Sequence, residues 1–196
     1  GVWSVKDRFI ANEVNTELNL ALARPIKSLD PAIAFNDDSL KVIGQSLETL
    51  YQYHYLKRPY EVIPSLAEGM PSVSADGKTY TIKIKKNVSY HDKTPFFKKK
   101  RTIKSQDFIN QIKRLAYPQI KSTGSWLFSG KIVGFDKFSK TVGGTLESML
   151  ETPIEGLRAP DDHTLVIELT RSEPNMLYFL CMPFTSPVPE ELLREY

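Results

Sequence analysis

Three histidines, His54, His91 and His163, are the first residues to test for chemistry. None has a second ligand at i+3 or i+4, the spacing that sets two metal donors on one helix face. His91-Asp92 and Asp162-His163 are half-sites at most. Cys181 is the only cysteine, which rules out an internal disulfide and a cysteine-based zinc pattern. It sits in the apolar run Met176 to Met182, where a small buried hydrophobe is expected rather than a reactive thiol. The nearest approach to a serine nucleophile elbow, Gly44-Gln45-Ser46-Leu47-Glu48, lacks the second glycine and falls inside a predicted helix. Gly143-Gly144 lacks the flanking residues of a phosphate loop, and Glu190-Glu191 reads as helix-start charge rather than an acid–base pair. No catalytic residue, metal ligand or cofactor is therefore expected, and the chain reads as a binding module, not an enzyme.

The elements that would carry a binding surface are those of an ordinary folded protein. The 196 residues are 41% hydrophobic and 25% charged, with a net charge of +3. Charge this balanced does not call for nucleic acid, and the one basic cluster, Lys98-Lys99-Lys100-Arg101, reads as a solvated loop. No stretch approaches the roughly 18 apolar residues of a membrane span. The N-terminus lacks a basic region followed by an apolar core, so no export signal is read in this chain.

Alternation of Leu18, Leu20 and Leu22 predicts a strand over Glu17 to Ala23. Asn36-Asp37-Asp38-Ser39 supplies caps and first-turn charge for a helix from about 38 to 52, with Leu40, Ile43, Leu47, Leu50 and Tyr51 at helical spacing. Asp76-Gly77 marks a hairpin leading into a strand over Thr79 to Lys85. Ser105 is expected to cap a second helix striped by Phe108, Ile109, Ile112, Leu115 and Ala116, and stopped by Pro118. A strand carrying Leu165, Ile167 and Leu169 follows Asp161-Asp162, then a short apolar helix between Pro174 and Pro183, then the start of a helix at Pro189-Glu190-Glu191. The stretch 119 to 160 gives no clear pattern. Together these predict an α/β or α+β fold with a mixed sheet.

Taken in order, several strings resemble the family 5 extracellular solute-binding proteins, the oligopeptide and dipeptide receptors of ABC importers. They are Ser28-Leu29-Asp30-Pro31, Glu48-Thr49-Leu50-Tyr51, Pro64-Ser65-Leu66-Ala67-Glu68, Thr79 to Lys85, Tyr90-His91-Asp92-Lys93-Thr94-Pro95, Asp107-Phe108 with Lys113-Arg114-Leu115, Ala159 to Leu165, and Pro183 to Pro189. Lys93 stands where the family's string carries glycine, and Phe97 to Ile103 form a longer basic loop than is usual.

The resemblance implies a periplasmic-binding-protein-like N-terminal lobe, with residues 12 to 48 and 156 to 196 next to the hinge and 49 to 155 an inserted second domain. The family's Gly-Thr-Gly-Pro segment and second lobe are not found in the sequence, which implies a partial receptor whose last helix is cut short. It further implies capture of short peptides outside the cytoplasmic membrane, as a periplasmic protein or a cell-surface lipoprotein, and delivery by a monomer to ABC permease subunits. Family members also take nickel chelates, haem or oligosaccharides, and a signalling module of the same fold is a further alternative. The same resemblance puts Phe35, Asn36 and Asp37 at main-chain contacts to the peptide and Trp126 at the cleft-facing aromatic position. By their types alone, Asn36 and Asp37 are helix caps and Trp126 a packing residue.

Overall fold

The computed structural model describes residues 24–91 and 100–195. The strand expected over 17 to 23 and the first part of the basic loop, 97 to 99, lie outside them. The fold centres on helix α2 (Ser105–Ala116), whose stripe of Phe108, Ile109, Ile112, Leu115 and Ala116 is buried. Its start is capped from inside the helix. The Asp107 carboxylate accepts the Lys104 N–H at 2.9 Å, while Ser105, expected as the cap, is the first helical residue and donates its hydroxyl to the Asp161 carbonyl.

α2 packs against a four-stranded sheet of order β3-β4-β6-β5, made of Ser72–Val73, Thr79–Lys83, Thr164–Glu168 and Leu157–Asp161. In β4 the predicted alternation buries Tyr80 and Ile82, and these pair across with Ile167 and Leu165 of β6. β6 is central, and its first four residues are all buried. The hairpin between β3 and β4 turns at Gly77, where φ is +70° and an added Cβ would meet the Ser172 hydroxyl at 2.6 Å. Every strand pairing among the described residues is antiparallel, so the parallel pairing of the expected mixed sheet is not found there. Two strands of this sheet come from residues 49 to 155 and two from 156 to 196, and one hydrophobic core runs beneath both stretches.

The first helix is shorter than its spacing predicted. α1 spans Asp37–Ser46, and Leu47 turns to extended backbone. Leu50 and Tyr51 are buried as expected of an apolar stripe, but they serve a two-stranded ribbon, β1 (Tyr51–Tyr53) paired with β2 (Val62–Pro64). The competing interaction is visible in the hydrogen bonds. The Tyr51 N–H, which a helix to 52 would give to the Leu47 carbonyl, donates to that of Leu180, and the carbonyls of Thr49 and Leu50 accept from Leu66, Ser65 and Ala67.

The stretch without a readable pattern holds two short helices, α3 (Phe135–Thr141) and α4 (Leu146–Glu151), the latter capped by the Thr145 hydroxyl. The apolar helix expected after Pro174 is the single turn α5 (Met176–Phe179), and α6 (Glu190–Glu195) follows Pro189. Cys181 is half-buried, its thiol donates to the Leu177 carbonyl, and burial pushes its pKa up to about 11.

Candidate functional site

The segment before α1 is built as a rigid step. Asp30 organises it: its backbone carbonyl accepts from Ile33 and Ala34, and its carboxylate accepts the Ala32 N–H at 2.9 Å. The same carboxylate is held bidentately by Arg114 of α2, at 3.0 and 2.5 Å, with Gln111 steadying the guanidinium. On the other side Ser122 donates to the Ala32 carbonyl at 2.6 Å and Thr123 to that of Ile33 at 3.3 Å. The turn carrying Trp126 is thereby tied to the step carrying Phe35.

After this dense bonding the chain goes idle for one residue. The backbone N–H and C=O of Phe35 make no hydrogen bond among the described residues, and neither does the C=O of Ala34 or the N–H of Asn36. Phe35 is 73% exposed, while Ala34 before it is buried at 3%. Asn36 is extended, with φ −85° and ψ 149°, and its side chain caps α1 by accepting the Ser39 N–H at 2.7 Å. Asp37 opens the helix as an exposed carboxylate with no ion pair among the described residues. Phe35, with both backbone groups unbonded among the described residues, is thus followed by an extended residue and anchored on each side.

Trp126 stands in a 3₁₀ turn (Ser125–Leu127) and is 52% exposed. Its neighbours Leu127 and Phe128 are fully buried and fix the turn to the core. Close packing at its base needs a glycine, because a Cβ at Gly124 would run into the Phe184 ring. The indole meets Phe179 of α5 edge to face at 6.2 Å. Lys131 donates to the Trp126 carbonyl at 2.9 Å and lies 5.4 Å from the Phe179 ring centre.

Three of the four sequence-selected residues are thus contiguous and the fourth sits on a turn bonded to the same step. Sequence reasoning did not select Arg114, Ser122, Phe179 or Lys131. Phe179 left a signal as an aromatic in an apolar run, whereas the bonds of Arg114 and Ser122 span more than 80 residues and leave no local pattern.

A cavity of about 560 Å³ adjoins the step, lined chiefly by Leu29, Leu47, Tyr117, Met149, Val188 and Leu193. Its charged groups, Arg114 and Asp30, neutralise each other. It offers apolar packing with little directional grip, unlike the free backbone at Phe35. Among the described residues no group of three or more His, Cys, Asp or Glu side chains is placed to hold a metal ion, and no helix is long and apolar enough to cross a membrane.

Residues 61–194 match the family model of the bacterial extracellular solute-binding proteins, family 5, middle region. The chain belongs to this family. Among curated relatives it is 30% identical over 134 residues to the periplasmic oligopeptide-binding protein OppA of Escherichia coli, covering 68% of this chain and 22% of that one. It is 33% identical over 135 residues to the dipeptide-binding protein of the same organism, covering 67% and 22%. Among solved structures the pheromone receptor PrgZ superposes with a TM-score of 0.71 at 28% identity, over 88% of this chain and 30% of that one. Peptide-bound OppA of Listeria monocytogenes gives the same TM-score at 23% identity, over 87% and 30%, and shows the shared fold. The family 5 chain described here therefore spans between about a fifth and a third of the length of such proteins.

Proposed function

We propose that this chain forms one wall of a peptide-binding cleft in an extracytoplasmic receptor, where the step at Ala34–Asp37 pairs with the backbone of an extended peptide beside Trp126. The observation that carries this reading is the idle N–H and C=O of Phe35, exposed and held between two anchored segments. Pairing through the main chain is indifferent to side chains, which suits a receptor for short peptides of varied sequence. The relatives' names, oligopeptide-binding and dipeptide-binding, support the same ligand class. In this reading the protein acts by binding, as a monomer, in the periplasm or anchored at the cell surface, and passes its peptide to the permease of an ABC importer.

One wall alone gives weak binding, because the ligand pays its full ordering cost while gaining half of the contacts. The test is a backbone-amide NMR titration of the 196-residue chain with millimolar trialanine and with trialanine N-methylated along its backbone. Trialanine should shift the Phe35 and Asn36 amides, and the methylated peptide, which keeps its carbonyl acceptors but has no N–H for the Phe35 carbonyl, should shift them markedly less. Shifts of equal size with both peptides, or none at these two amides, would overturn the reading.

A further inference from the structure

A row of exposed side chains runs away from this site across α5 and the loop between β1 and β2. Tyr178 of α5 stacks on Tyr53 with ring centres 6.1 Å apart and planes at 23°. Tyr53 meets Tyr60 edge to face at 5.6 Å, and the Arg58 guanidinium carbon lies 4.4 Å from the Tyr60 ring centre. Tyr53 is 46% exposed, Tyr60 62% and Tyr178 42%. Tyr178 precedes Phe179 in α5, and Phe179 meets the Trp126 indole edge to face.

Resting on the reading above, we propose that Tyr178, Tyr53, Tyr60 and Arg58 form a selectivity rail for the C-terminal part of the peptide, the rings taking alternate side chains and Arg58 the terminal carboxylate. The spacing supports it. An extended chain rises roughly 3.3 Å per residue, so side chains on one face recur every 6.6 Å or so. The ring separations of 5.6 and 6.1 Å are close to that repeat. Exposed aromatic faces take aromatic and proline side chains by stacking.

Arg58 is the cation left available. Lys57 beside it is engaged with Glu61 at 2.7 Å, whereas Arg58 makes no ion pair among the described residues. Its Nη1 donates to the Lys57 carbonyl at 2.9 Å and, more loosely, to that of Tyr55, which leaves the rest of the planar fork for an incoming carboxylate. The occupant that satisfies both features is a peptide ending in a free carboxylate with aromatic residues at alternate positions.

The experiment compares three tetrapeptides on the 196-residue chain by NMR titration: Ala-Phe-Ala-Phe as the free acid, the same peptide as its C-terminal amide, and Ala-Ser-Ala-Ser as the free acid. The first should bind at least about fivefold more tightly than either of the others, since the amide gives up the charge-assisted hydrogen bonds and the serine peptide the ring stacking. Arg58→Gln should erase the difference between acid and amide and keep the preference for phenylalanine; Tyr60→Ser should do the reverse. Both residues are exposed loop positions, and the wild-type comparison stands without either variant. Equal affinities for the three peptides, with the Phe35 amide still shifting, would overturn the rail and leave the cleft wall standing. No shift at any site with any peptide would overturn both.

Discussion

Helix α2 and the step at Phe35 handle polar groups in opposite ways. Along α2 the buried polar side chains have partners. Asp107 receives the Lys104 N–H, the Tyr90 hydroxyl and two Arg101 nitrogens; Gln111 donates to the Phe184 carbonyl, and Lys113 to that of Leu150. At the step the same accounting stops short, with an exposed ring and an unused backbone pair on a segment otherwise fixed by Asp30, Ser122 and Thr123. Closed polar groups stabilise the fold, and the unbonded ones at the step contribute nothing to it.

The sharpest way to break this comparison is to truncate one aromatic in each region. Phe108 is 1% exposed, and Phe108→Ala should cost about 3–5 kcal/mol in urea unfolding, the range for deleting a buried ring. Phe35→Ala should cost no more than about 0.5 kcal/mol, as for an ordinary surface substitution. A Phe35 variant that lost several kcal/mol would make the step part of the core and remove the contrast.

The ion pair that joins the two regions comes next. Asp30 and Arg114 are mostly buried, and the Asp30 carboxylate also holds the Ala32 N–H. Asp30→Asn should cost about 2 kcal/mol, below the range for breaking a fully buried pair, since some solvent reaches this one. It should also loosen the step selectively, so amide exchange at Ile33 and Ala34 should quicken more than at Ile82 or Leu165. Uniform acceleration would mean that the pair supports the whole fold and not the step in particular.

What the sequence allowed one to read follows the range of the interactions. The stripe of α2, the Asp76-Gly77 hairpin and the alternation of β4 and β6 are decided by near neighbours, and each stands where its spacing put it. Leu50 and Tyr51 were misplaced because their helical spacing competes with hydrogen bonds from Ser65, Leu66 and Ala67, about 15 residues on. α3 and α4 were missed because helices of seven and six residues are too short for a full apolar stripe. At the site, Asn36 was legible as a cap from its own residue type. The freedom of the Phe35 backbone was not, because it depends on which groups the Asp30 turn and the Ser122 loop leave unbonded. The aromatic row was invisible for the same reason: Tyr53 and Tyr178 are neighbours only after folding.

The smallest expected effect probes how completely the α2 side is closed. Lys113 is 4% exposed, donates to the Leu150 carbonyl at 2.6 Å, and has its pKa pushed down by burial from 10.5 to about 8. Below pH 8 the amine is charged in both the folded and unfolded chain. Between pH 8 and 10.5 the unfolded chain keeps a proton that the folded one has released, so raising pH through this window favours the folded state. Opposing groups enter later. Burial raises the Cys181 thiol from 9.0 to about 11 and lifts Tyr51 above its ordinary 10, so from pH 9 upward the unfolded chain sheds those protons first and is favoured. The clean interval is therefore pH 8 to 9. There the wild type should gain stability relative to Lys113→Met in paired urea titrations. A difference that stays flat from pH 7 to 9 would mean that water reaches the Lys113 amine, and that the α2 side is open where it is described as closed.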